Sequence, residues 1–269
     1  MDMENDKQNT SPKTHTIQLQ PGLPLTLTEA GSGRAVLVLH GGGGPFTVAG
    51  LVGQLAGKAH VLAPTHPGFN GTERPAWFSD VDDLALAYLN LLEDRELRDV
   101  LVIGSSIGGW IAAEMALRDR GQRIGGLVLI NAAGVQVEGE PIRDVFTLTP
   151  RELSDYANHD GAKFYQDPAT IPPEQLAVRR ANGMTLKAYA GDNMYDAKLL
   201  RRLSRVQTPA LVVWGASDRI VTPAYGRAFA AAFGNAHFTL VDKAGHLPHL
   251  EQPEKTLAAI APMLSATNR

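Results

Sequence analysis

Six short apolar runs punctuate the chain: Ala35–Leu39, His60–Ala63, Val100–Ile103, Leu127–Ile130, Ala210–Trp214 and Phe238–Val241. Most show none of the alternation of a strand with one wet face, so they predict strands covered on both sides, as in a parallel sheet. The stretches between them carry helical spacing. Val81–Leu92 sets Leu84, Ala87, Tyr88 and Leu91 on one face, and Ala224–Phe233 and Lys255–Leu264 also read as helices. Near the start, Thr16-Ile17-Gln18-Leu19 and Leu25-Thr26-Leu27 alternate, which predicts an antiparallel hairpin. Strands alternating with helices place the chain in the α/β class.

That rhythm breaks from Val135 to Arg202, where acidic and basic residues mix and prolines fall at Pro141, Pro150, Pro168, Pro172 and Pro173. The stretch holds amphipathic pieces but no strong strand. It is too long for an ordinary loop and is expected to be a helical cap, residues 135–202, lying over a core formed by 15–134 and 203–269. The polar first 14 residues are expected to be a disordered leader.

Composition narrows the function classes. With 269 residues, 44% hydrophobic and 20% charged, the chain can bury a sizeable core and is not of disordered type. A net charge of -3 gives no basic excess to attract nucleic acid or anionic lipid, so neither a nucleic acid nor a membrane is expected as a partner. There is no cysteine, which excludes disulfides, thiolate zinc sites and thiol catalysis. The N-terminus lacks the apolar segment of a secretory signal and no run has the length of a membrane span, so a cytoplasmic location is expected. The expected partner is a small-molecule substrate, and a homodimer is compatible with such a chain.

The chemistry begins at Gly104-Ser105-Ser106-Ile107-Gly108, which matches G-x-S-x-G between a buried strand and a helix. Such a turn holds its central serine in a strained conformation with the hydroxyl presented, and glycines two residues away relieve the crowding. In that register Ser106 is the nucleophile and Ser105 a turn residue. A plain helix cap is the competing reading, and one turn can serve both purposes. A serine hydroxyl needs a base and a group to orient the base. Among eight histidines, His246 lies in Ala244-Gly245-His246-Leu247-Pro248, a loop after the last predicted strand, at the same sheet edge as Ser106. His249 reads as a surface or helix-start residue, and His246-x-x-His249 lacks the pattern of a helical zinc motif.

Asp218, in the loop after Trp214, is the candidate orienting carboxylate; by itself it would read as a turn residue. Asp242 sits too near His246 in sequence to support it from behind, and Asn131 occupies another place for an acid without being ionisable. His40-Gly41-Gly42-Gly43-Gly44-Pro45 has no following Gly-Lys-Ser/Thr, which argues against a nucleotide cradle. An oxyanion hole is the better reading: Gly42 or Gly43 would supply one N–H and Ile107 the other, while His40 is structural.

Taken together, His40-Gly41-Gly42-Gly43, His66-Pro67-Gly68-Phe69, the Ser106 turn, Trp214-Gly215-x-x-Asp218 and Gly245-His246 make the chain resemble the α/β-hydrolase superfamily over nearly its whole length. The order Ser, Asp, His is that superfamily's own. The resemblance implies an eight-stranded, mostly parallel sheet with helices on both faces, a Ser106-Asp218-His246 triad, and 135–202 as cap. Many relatives carry aspartate near Thr65, a departure expected to alter packing more than chemistry. Serine at the elbow separates the chain from epoxide hydrolases and haloalkane dehalogenases, which use aspartate there. The implied activity is acyl transfer on an ester, lactone or thioester of a small, largely apolar molecule, with no cofactor and no metal. Two alternatives stay open: hydrolysis of carbon-carbon bonds in vinylogous diketones, and a ligand-binding protein without turnover. Cap aromatics Phe146, Tyr156, Phe164, Tyr165, Tyr189 and Tyr195 could line the pocket or build the cap's own small core.

Overall fold

The computed structural model describes residues 11–266. The leading hairpin is β1 (Lys13–Gln20) and β2 (Leu23–Ala30), followed by β3 (Ala35–Leu39), α1 (Ala49–Ala56), β4 (His60–Thr65) and α2 (Val81–Asp94). Next come β5 (Val100–Ser105), α3 (Ile107–Arg118) and β6 (Ile124–Ile130). The chain closes with β9 (Ala210–Gly215), α8 (Pro223–Ala232), β10 (Ala236–Val241), α9 (Pro248–Glu251) and α10 (Pro253–Ser265). The eight long strands form one sheet in the order β1-β2-β4-β3-β5-β6-β9-β10. Only the β1–β2 and β2–β4 pairings are antiparallel.

Part of the expected leader lies outside the described residues. Its last two positions do not belong to a leader: Lys13 and Thr14 pair with Glu29 and Thr28, and the two threonine hydroxyls are 2.8 Å apart. Partnering by β2 extends the strand outward, past the point where apolar alternation stops.

The uninterrupted apolar runs follow from burial on both faces. Leu37, Leu39, Val102, Leu127, Leu129, Val212 and Trp214 point into the layer built with α2, α3 and α8. Their neighbours Val36, Val38, Leu101, Ile103, Val128, Ile130 and Val213 point into the opposite layer, with Leu51 and Leu55 of α1 and Ile260 of α10. At roughly 1.5 to 3 kcal/mol for each fully buried large aliphatic side chain, this double burial is the main stabilising term of the sheet. The connectivity also places the chemistry. From β3 the chain passes to β4 on one side and later returns to β5 on the other, so the carboxyl ends of β3 and β5 flank a topological switch point.

Between β6 and β9 lie β7 (Gly134–Val135), α4 (Pro150–Ala157), α5 (Gly161–Phe164), α6 (Pro173–Ala190), β8 (Tyr195–Asp196) and α7 (Leu199–Arg202). The stretch is helical, and the two-residue strands β7 and β8 pair in parallel where it leaves and rejoins the core. α4 opens on Thr149, whose hydroxyl accepts from the Glu152 N–H while the Glu152 carboxylate accepts from the Thr149 N–H. α6 packs on the turn Phe69–Gly71: the Tyr189 hydroxyl donates to the Pro67 carbonyl at 2.8 Å and its ring stacks on Phe69. Tyr156 lies under the guanidinium of Arg143 at 3.8 Å. Both tyrosines thus serve the packing of this stretch and its attachment to the core.

Candidate active site

Ser106 joins β5 to α3 with φ 55° and ψ -118°, a sparsely populated conformation for a residue with a side chain. The surroundings hold it there. Its N–H donates to the Ile130 carbonyl at 3.0 Å, and its own carbonyl accepts from Gly109, Trp110 and Ala133. The flanking glycines are required by close approach: a Cβ on Gly104 would overlap the Gly108 carbonyl, and one on Gly108 would overlap the Leu39 carbonyl of β3. The first nine residues of α3 are buried, so this element is fixed by the core.

His246 stands in the loop between β10 and α9, and its Nε2 lies 3.0 Å from the Ser106 Oγ. On the other side of the ring, Nδ1 lies 2.8 Å from Asp218 Oδ2. A carboxylate only accepts, so Nδ1 carries the proton and Nε2 is free to accept from the serine hydroxyl. Asp218 is fully enclosed: Oδ1 accepts from the N–H groups of Ile220 and Val221, and Oδ2 also accepts from Asn131 Nδ2 at 2.6 Å. The three predicted side chains thus meet in one hydrogen-bonded array.

Asn131 is the residue whose part sequence reasoning missed. It follows β6 at φ 44°, is wholly buried, and its amide bridges three segments. Nδ2 donates to Asp218 and to the Gly245 carbonyl, while Oδ1 accepts from the Gly215 N–H. Its place at a strand's carboxyl end was the available signal. An amide, unlike an acid, offers both a donor and an acceptor to the loops carrying Asp218 and His246. Asp242 is exposed and takes no place beside His246.

The glycine loop after β3 lies against this array. Gly41 is in contact with Ser106: a Cβ there would sit 3.2 Å from the Ser106 Cβ. The Gly41 carbonyl accepts from the Gly44 N–H at 3.0 Å and faces His40 Nδ1 at 2.7 Å. Because a trans peptide points its C=O and N–H in opposite directions, this leaves the Gly42 N–H directed to the other side of that peptide. Gly42 lies beneath Leu186 of α6, while Gly43 is exposed and its carbonyl accepts from Asn182 Nδ2 at 3.0 Å. Ile107 is the first residue of α3, where the backbone N–H has no intrahelical acceptor.

Under the loop, the His40 and His66 rings lie against each other with centroids 3.8 Å apart and planes tilted by 32°. His40 Nε2 accepts from the His66 N–H, so Nδ1 is the donor to Gly41. His66 Nε2 donates to the His40 carbonyl, which leaves Nδ1 to accept from the Tyr88 hydroxyl. Burial lowers His40 to a pKa of about 4 and holds His66 well below the ordinary imidazole value, with the neighbouring His40 adding to the effect. Both rings are neutral supports. His249 starts a helix, as expected, but is buried rather than on the surface: its Nε2 donates to the Thr47 carbonyl at 3.0 Å, and burial lowers its pKa to about 4. The Pro45–Val48 turn behind the glycine loop covers it.

Ser106 is only 7% exposed, with α6 lying over the glycine loop. A surface cleft of about 490 Å³, lined by Glu140, Asp144 and Arg219 among others, includes no residue of the array or glycine loop. Among the described residues, no cluster of three or more His, Cys, Asp or Glu side chains has the arrangement to hold a metal ion, and no helix is long and apolar enough to cross a membrane.

Comparison with known proteins places this geometry in a family. A 2-hydroxy-6-oxo-6-phenylhexa-2,4-dienoate hydrolase of Burkholderia cepacia is 25% identical over 85% of this chain and 86% of its own length. Lipase 1 of Psychrobacter immobilis is also 25% identical, over 90% of this chain and 80% of its own. Among solved structures, a serine hydrolase from the polyaromatic hydrocarbon-degrading bacterium Cycloclasticus zankles superposes with a TM-score of 0.78 at 19% identity, covering 95% of this chain and 100% of its own. That likeness is one of fold. The profile described as the alpha/beta hydrolase family matches residues 36–260. The chain belongs to the alpha/beta hydrolase family.

Proposed function

We propose that this hydrolase cleaves a carboxylic ester, or a lactone or thioester, of a small and largely apolar molecule through an acyl-enzyme on Ser106. The observation that carries the reading is the array in which His246 faces Ser106 at 3.0 Å and Asp218 at 2.8 Å, with the serine held in a strained turn. His246 takes the proton of Ser106 as the oxygen attacks the carbonyl, and returns it to the leaving group; Asp218 fixes the tautomer. The backbone N–H groups of Gly42 and Ile107 receive the developing oxyanion, with the orientation of the Gly41 peptide favouring Gly42 over Gly43. Water activated by the same imidazole releases the acid. The named lipase relative fits this chemistry.

The test is covalent labelling of Ser106 by a fluorophosphonate, followed by mass spectrometry, alongside turnover of short p-nitrophenyl esters. A wild-type protein that neither labels nor turns over sinks the proposal. A second reading rests on the relative named as a hydrolase of a 2-hydroxy-6-oxo-dienoate: the same array could act on a carbon-carbon bond in a vinylogous diketone. Loss of the chromophore of such a diketone, at a rate exceeding that on any ester of a broad panel, would decide for it.

A further inference from the structure

The segment that ends α4 belongs to the cap, yet it is hydrogen-bonded to both loops that carry His246 and Asp218. The Ala157 carbonyl accepts from the His246 N–H at 2.6 Å. The Tyr156 carbonyl accepts from the Arg219 N–H at 3.1 Å, one residue beyond Asp218. His159 Nδ1 lies 2.7 Å from the Ser217 Oγ, one residue before Asp218. Glu251 of α9 closes the arrangement. Its Oε1 accepts from the Gly245 N–H at 2.6 Å and its Oε2 from the His159 N–H at 2.8 Å. One carboxylate thus holds the residue before His246 with one oxygen and the cap with the other.

The approach is close enough to dictate sequence. A Cβ on Gly245 would overlap the Ala157 carbonyl and come within 2.7 Å of the Asn158 Cα, so a glycine is needed before His246 because the cap backbone passes there. At the same time Ser106 is only 7% exposed, and α6 lies over the neighbouring glycine loop. A displacement that withdraws residues 156–159 removes acceptors and donors from both loops together.

We propose that Glu251 is a positioning residue that couples closure of the cap to alignment of His246 and Asp218, so that the base is set for reaction only when the cap is shut. The inference rests on the reading of Ser106, His246 and Asp218 as the catalytic groups. Its logic is that of a lid that completes the catalytic constellation as it closes. The bonds from Glu251 involve an ionised acceptor, the stronger class of hydrogen bond. Glu251→Gln keeps the volume but turns an NH2 toward one of two N–H groups, breaking one side of the bridge.

The expected result for Glu251→Gln is a fall in kcat on p-nitrophenyl acetate of about tenfold, the scale of one lost hydrogen bond to a charged group. KM stays within about twofold, because the residue touches no substrate. Labelling of Ser106 by fluorophosphonate slows by the same factor as kcat. In the amide hydrogen exchange of the same proteins, 155–160 and 243–248 speed up together while α2 is unchanged. His159→Ala, which keeps the backbone N–H but removes the tie to Ser217, gives a smaller loss, and the double variant loses less than the product of the two. If Glu251→Gln is folded and matches the wild type in kcat and labelling, or if exchange rises in only one of the two segments, the coupling is wrong. If the wild type itself neither labels nor turns over, the proposed function fails, and paired or unpaired exchange still decides whether the brace exists.

Discussion

Ser106 and the side chains it meets are anchored by different parts of the molecule. Ser106 is held by β5, α3 and the carbonyl of Ile130, all of them core, and its backbone hydrogen bonds reach nothing in the 135–202 insertion. The other parts of the site lean on that insertion: the His246 loop on Ala157, the Asp218 loop on Tyr156 and His159, and the glycine loop on Asn182 and Leu186. For the proposed acyl transfer, the difference separates two requirements. In that proposal the attacking oxygen needs a strained, permanent perch, while the base and oxyanion donors must tolerate a cover that moves to admit substrate.

The sharpest break of this comparison is Ser106→Ala. Turnover should fall by roughly 10⁵- to 10⁶-fold, as for the nucleophile in other triads, while the melting temperature and hydrogen exchange of the core stay at wild-type values. Residual ester turnover near the wild-type rate in a purified variant would remove Ser106 from the chemistry. Next in size is Asp218→Asn. The amide preserves shape but favours the wrong imidazole tautomer, and a loss of about 10⁴-fold in kcat is expected. Fluorophosphonate labelling of Ser106 should slow in the same proportion while the protein stays folded with an intact glycine loop; if kcat is unchanged, another group orients His246.

The same division governs what the sequence made legible. The sheet, its paired helices and the Ser106 turn were readable because each depends on local rules: apolar runs for buried strands, and glycines at fixed offsets for a tight elbow. His246 could be singled out because it stands in a loop at the carboxyl end of a strand, whereas Asp218, in a similar place, reads as a turn residue until the family resemblance is added. What the chain did not announce arises where distant segments touch. Asn131 bridges Asp218, Gly215 and Gly245, and no periodicity links position 131 to position 218. Glu251 looks like an ordinary first-turn acid until Gly245 and His159 are brought against it. His249 was expected at the surface or a helix start, and its burial follows from the Thr47 carbonyl folding over it from two hundred residues away.

The buried imidazoles allow a test on stability in place of rate. His40 and His249 have native pKa values of about 4, below the ordinary value of 6.5, and His66 is shifted the same way. Below pH 6.5 the unfolded state binds more protons than the native state. Their contribution is therefore complete above 6.5 and is lost as the pH falls toward 4. The melting temperature should drop on the order of 10 °C between pH 7 and pH 5. Tyr88→Phe, which leaves His66 Nδ1 without its donor, should lower stability at pH 7 by about 1 to 3 kcal/mol. A melting temperature flat across this interval would mean that these rings are already charged in the native protein.

The smallest effect is the most telling for the division between core and cap. Asn182 of α6 donates to the Gly43 carbonyl at 3.0 Å and accepts from the Asn70 N–H at 2.7 Å, tying the cap to the glycine loop and to the turn after β4. His40 already fixes the Gly41 peptide from below, so the loop has a core support and a cap support. Asn182→Ala removes the hydrogen bond of the second and leaves Leu186 over Gly42. The expected loss in kcat is about five- to tenfold, the scale of one or two neutral hydrogen bonds, with fluorophosphonate labelling slowed in proportion because, in the proposed mechanism, the phosphoryl oxygen uses the same N–H groups. A loss of 10³-fold would mean that the cap, not His40, sets the oxyanion donors. No loss at all would mean that the core holds the glycine loop as firmly as it holds Ser106, confining the cap's influence to the histidine and acid loops.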